Sequence, residues 1–121
     1  MRTVFIIFFT FLLYSCSPDV GANIDCDLVK LIYSEATKIM DGTEVEKFQY
    51  VEISEDLYPN IYSLNPLKVY IREDGLFIRI KKRFSTETGY FIPNDQNKTF
   101  SDKGDPSFKK LCDHIYEYKY Y

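Results

Sequence analysis

Three regimes of apolar spacing divide the chain. Val4 to Tyr14 is apolar throughout except for Thr10, with a single charge, Arg2, ahead of it. From Asp25 to Asp41 apolar residues recur at Leu28, Val29, Ile32, Ala36, Ile39 and Met40, the spacing of one helical face. Asn23 or Asp25 is placed to cap that helix, Asp25 and Asp27 favour the positive end of its dipole, and Gly42 marks its stop. Beyond Gly42 the period becomes two.

Val45 to Ile53 is rich in β-branched and aromatic residues and predicts a strand. Glu55 to Pro66 contains Pro59, Asn60, Asn65 and Pro66, which predicts a surface loop with Leu57, Ile61 and Leu64 turned inward. Asp74-Gly75 stands between two alternating runs in Leu67 to Arg83, the signature of a hairpin with a type I′ turn. A turn there sets Ile71 opposite Ile78, Val69 opposite Ile80, Arg72 opposite Phe77, Tyr70 opposite Arg79 and Lys68 opposite Lys81. One face is then aliphatic, and the other carries Lys68, Arg72, Arg79, Lys81 and Arg83 around Tyr70 and Phe77. A turn and a short strand, Gly89 to Ile92, come next, then a polar loop from Asn94 to Pro106. Lys109 to Tyr121 alternates as one terminal strand, with Tyr116, Tyr118 and Tyr120 in a stripe. With no internal repeat and no heptads, the economical fold is α+β: one N-terminal helix packed on an antiparallel sheet of four to five strands.

The first regime does not belong to that fold. Its eleven residues fall short of the ~20 needed to cross a hydrocarbon core, and they fit the apolar region of an export signal. Leu13-Tyr14-Ser15-Cys16 closes the run and resembles the lipobox of bacterial lipoproteins. The resemblance implies removal of residues 1–15 and acylation of Cys16 as the membrane anchor; the remaining residues then read as a lipidated tether over 16–24, with Pro18 and Gly21, and a single small domain over 25–121. It also implies that Ser17, not being Asp, permits outer-membrane sorting in a two-membrane bacterium. Val20 and Ala22 leave ordinary cleavage after Ala22 open, which would release a soluble protein, and an uncleaved anchor is the third alternative. With Cys16 given to lipid, Cys26 and Cys112 remain as a pair for a disulfide in an oxidising compartment; two unpaired buried thiols are the alternative.

Composition narrows the function. The chain has 121 residues and a net charge of −3, so 106 residues and −4 remain after Ser15, enough for one small core. That acidity and the address argue against nucleic acid as a partner. Charge is uneven, however: residues 67–83 sum to +4, leaving −8 for the rest of the mature chain. The basic-aromatic face of Lys68, Tyr70, Arg72, Phe77, Arg79, Lys81 and Arg83 is therefore the candidate surface for an anionic or protein macromolecule. The stripe Tyr116, Tyr118 and Tyr120 is the second candidate. The plainer readings are a solvated sheet face with cations over its rings, and tyrosines packed under neighbouring elements.

Catalytic signals are sparse. His114 is the only histidine and has no nucleophile or metal motif nearby; Asn94, Asp95, Asp102 and Asp105 share a loop without calcium-loop spacing. No cofactor and no metal site is expected. The reading is a lipid-anchored, non-enzymatic binding protein of the cell envelope, such as an immunity or inhibitor protein. A structural envelope component binding cell wall or an outer-membrane assembly is the alternative within that class. A small hydrolase using His114 and carboxylates is the alternative from another class.

Overall fold

The computed structural model describes residues 24–43 and 48–121. The expected export signal, Cys16 and the expected tether before Ile24 lie outside the described residues. Helix α1 spans Cys26–Asp41, capped by Asp25, whose side chain accepts from the Asp27 amide at 2.9 Å. It buries Val29, Ile32, Ala36 and Ile39, the face expected from spacing. Gly42 ends it with φ −85°, in the right-handed region, so the stop does not use glycine's left-handed freedom.

The sheet is antiparallel and six-stranded: β1 Phe48–Val51, β2 Lys68–Arg72, β3 Gly75–Arg83, β4 Thr86–Pro93, β5 Ser107–Cys112 and β6 Ile115–Tyr120, in the order β1-β2-β3-β4-β6-β5. The α+β class holds, with more strands than expected. The terminal segment is a hairpin rather than one strand, because Asp113 and His114 reverse the chain with His114 at φ 73°. The loop between β1 and β2 contains one helical turn, α2 Pro59–Ser63, with proline at its start, where the missing N–H costs nothing. Ile61 is buried as expected, whereas Leu57 is 70% exposed.

The β2–β3 register differs from the expected one. Arg72 pairs with Gly75, so the turn is Glu73-Asp74, one residue earlier, and Tyr70 faces Phe77, Val69 faces Ile78 and Lys68 faces Arg79. Gly75 serves another purpose: a Cβ there would stand 2.2 Å from the Ile92 carbonyl oxygen, so glycine permits β3 to approach β4. The slip is two residues, which preserves the alternation of faces.

Each face of the sheet is packed. On one, α1 and α2 cover an aliphatic core of Val69, Ile71, Leu76, Ile78, Ile92 and Ile115. On the other, Tyr70, Phe77, Phe91 and Tyr118 are buried beneath Phe100, Phe108, Tyr116 and Tyr120. A disulfide joins Cys26, the first residue of α1, to Cys112, the last of β5, across 86 positions of sequence. Among the described residues, no helix is long and apolar enough to cross a membrane.

Candidate functional site

The aromatic face is built around Glu87 on β4. Tyr70 and Tyr118 donate their hydroxyls to its Oε2 at 2.5 and 2.6 Å, from β2 and β6. Arg79 on β3 brings Nε to 2.8 Å from Oε1; its N–H is not aligned with that oxygen, so the contact is an ion pair rather than a good hydrogen bond. Gly89 makes the arrangement possible. It pairs with Tyr118, and a Cβ there would lie 3.0 Å from the Tyr118 ring and 1.9 Å from the Ile78 carbonyl oxygen.

Burial pushes the pKa values of Tyr70 and Tyr118 up, and donation to Glu87 adds to the shift, so both stay neutral donors. Burial alone would lower that of Arg79, but Glu87 and a hydrogen bond to the Tyr50 side chain outweigh it and raise it. The cluster is a closed acceptor–donor set that fixes the Arg79 guanidinium over the Tyr70 ring, 5.7 Å from its centroid.

Toward the β1 edge the same face opens to solvent. Phe48 and Tyr50 are 47% and 55% exposed, and Phe48 packs on Tyr70 with centroids 5.0 Å apart, continuing the buried cluster outward. Lys68 stands over the Tyr50 ring at 5.5 Å. Arg72 lies over Tyr120 and donates Nη1 to its hydroxyl. Burial raises the Tyr120 pKa and Arg72 opposes that shift. A cleft of about 410 Å³, lined by Arg72, Phe77, Pro106, Phe108 and Tyr120 among others, lies beside this pair. The result is a platform of rings with cations already placed on it.

The expected surface residues therefore separate. Tyr70, Phe77 and Tyr118 are interior, Tyr118 at 0% exposure, and cannot touch a partner. Tyr116 and Tyr120 are half-buried around them, and Lys68 and Arg72 are exposed on the open face. Lys81 and Arg83 leave that face altogether. A bulge after Arg79 pairs Lys81 with Thr88 while Arg79 pairs with Gly89, so alternation inverts and Lys82, opposite Glu87, takes the place on the aromatic side.

His114 is exposed at the β5–β6 turn, stacked on Tyr33 at 4.5 Å with Nδ1 2.7 Å from Gln96 Oε1. Asp95 and Asp105 accept from the amides of Asn97 and Tyr121, so both carboxylates brace loop backbone. Among the described residues no three His, Cys, Asp or Glu side chains gather as a metal site.

Glu87, Phe48 and Tyr50 escaped the sequence reading. Extending the predicted Gly89–Ile92 strand back by three residues, to Thr86, would have placed Glu87 in line with Gly89 and Phe91. No family model matches the chain, and no curated protein or solved structure does.

Proposed function

We propose that the chain is a cell-envelope lipoprotein, anchored through Cys16 and facing the periplasm or the cell exterior, that binds a macromolecular partner without catalysing a reaction. The outer membrane is its place in a two-membrane bacterium. The observation that carries the reading is the open aromatic platform: Phe48 and Tyr50 exposed on an edge strand, with Lys68 and Arg72 held over rings at its border. Exposed aromatics beside pre-placed cations are the composition of interface anchors, and rings rooted in a packed cluster lose little entropy on binding. The cations select an acidic partner surface, and an edge strand adds backbone groups to which an extended segment can pair. An inhibitor or immunity role fits a rigid platform of this kind.

The test is capture from envelope extracts. Lys68→Glu with Arg72→Glu, and separately Tyr50→Ala, should abolish recovery of a defined partner, whereas Lys98→Glu in the exposed loop should leave it intact. Equal capture by all variants would reject the platform as the binding surface.

A further inference from the structure

The end of the β3–β4 hairpin is a second apolar feature, just beyond the Lys82–Glu87 pair. Arg83 pairs with Thr86, leaving Phe84 and Ser85 as a two-residue turn. Phe84 is fully exposed, at 101%, and holds φ 51°. A bulky residue rarely adopts positive φ, and glycine or asparagine would fill this place without strain. Among the described residues nothing packs on the ring. A strained, fully solvated phenylalanine at a projecting tip has to be accounted for outside the domain.

Lys81, Lys82 and Arg83 precede it, all exposed. Because the bulge inverts alternation, Lys82 lies on the aromatic side of the arm, with Lys81 and Arg83 on the other. The cations therefore ring the tip, and no flat partner surface meets them together. The acidic residues of this end flank the arm and are not on it: Glu52, Glu55 and Asp56 belong to the connection that leaves β1, two strands to one side. Asp102 and Asp105 belong to the connection that enters β5, on the other side, where Asp105 accepts from the Tyr121 amide.

From these features we infer that the Phe84 tip inserts into the headgroup layer of an anionic lipid bilayer. A tip this small offers too little area for a stable protein interface, which needs several hundred Å² per side. A fluid headgroup layer needs no complementary pocket: it admits one ring and surrounds it with anionic groups for cations on every side. The inference goes beyond the platform reading and does not require it, since the tip and the β1 edge are separate surfaces. Nor does it require the acyl anchor. In an anchored chain it adds a second point of contact, because the tip lies at the end of the sheet opposite Cys26.

The chain contains no tryptophan, so Phe84→Trp in the full protein introduces a single indole reporter. With vesicles containing phosphatidylglycerol, its emission should shift to the blue and be quenched by brominated acyl chains; with phosphatidylcholine alone it should stay at the aqueous maximum. Lys82→Ala with Arg83→Ala in that background should weaken partitioning roughly thirtyfold, about fivefold per cation. Phe84→Asn should raise the thermal midpoint by relieving the strained φ and lower vesicle affinity, a combination that a structural role for the ring does not produce. An aqueous, unquenched indole on anionic vesicles overturns the inference, and so does equal burial on neutral ones. Either result leaves partner capture by the platform untouched.

Discussion

Removing the disulfide is the perturbation with the largest effect that the structure allows to be worked out. The Cys26–Cys112 bond ties the start of α1 to the end of β5 and closes a loop of 86 positions, nearly the whole domain. In the chain-entropy treatment, closing a loop of this length in the unfolded ensemble is worth about 4.6 kcal/mol at 25 °C, near the top of the range seen for native disulfides. A domain of about 100 residues shifts by roughly 5 °C per kcal/mol, so Cys26→Ala with Cys112→Ala should lower Tm by about 20 °C. Urea unfolding of the double variant and the oxidised protein gives the free energy directly. Its slope should be steeper in the variant, because an open unfolded chain exposes more surface. A loss below about 1 kcal/mol, with unchanged slope, would refute the reasoning and mean that packing of Tyr33 against His114 already holds these ends together.

Three further outcomes follow from buried polar groups and close approaches. Glu35 is buried within the apolar face of α1 and accepts from the amides of Asn60 and Ile61 and from Asn60 Nδ2 at 2.6–3.1 Å, pinning α2; Glu35→Ala should cost about 2–4 kcal/mol in urea unfolding, with Glu35→Gln recovering part of it. Gly89→Ala drives a Cβ to 1.9 Å from a backbone oxygen and should abolish soluble expression or cost more than about 3 kcal/mol, while Gly42→Ala, 3.2 Å from the Lys38 carbonyl oxygen at a right-handed φ, should be tolerated. Tyr70 and Tyr118 ionise at higher pH in the folded state than in the unfolded one, so the unfolded chain releases these protons first. Their contribution is therefore intact below about pH 10 and lost as pH rises toward their folded values, by up to about 1.4 kcal/mol per pH unit for each. Urea midpoints followed between about pH 8 and 11 should show that fall, and Tyr70→Phe with Tyr118→Phe should flatten it.

How much was legible in the sequence differs from element to element for physical reasons. Helix α1 was readable because its buried face obeys one period from Val29 to Ile39, although Glu35, inside that face, is a carboxylate whose partners lie 25 and 26 residues away. The central hairpin was readable in its faces and not in its register, because Gly75 looks like a turn residue and serves the approach of Ile92 instead. The bulge after Arg79 has no mark in the sequence, yet it alone moved Lys81 and Arg83 off the expected surface. The final hairpin was hidden because its turn uses Asp113 and His114, without the glycine or asparagine that signals positive φ. The pairing of Cys26 with Cys112, by contrast, needed only an odd cysteine count and a use for the third.

The tyrosines explain why an interior and a surface are continuous on this sheet. An aliphatic cluster, like the one under α1, has to end where water begins. The aromatic cluster need not, because each ring is apolar while its hydroxyl seeks a polar partner. In the interior, Tyr70 and Tyr118 find Glu87, which also orients Arg79; at the margin, Tyr120 finds Arg72 and the Tyr50 ring lies under Lys68. One packing rule thus runs from Phe91 at the centre to Phe48 at the edge, and the exposed rings inherit positions set by buried ones. A platform positioned in this way is ordered before any partner arrives. Changes at Glu87, which is buried beneath that surface, should therefore weaken the proposed binding through the platform as well as stability: Glu87→Gln should reduce partner capture while Phe48 and Tyr50 themselves remain unaltered.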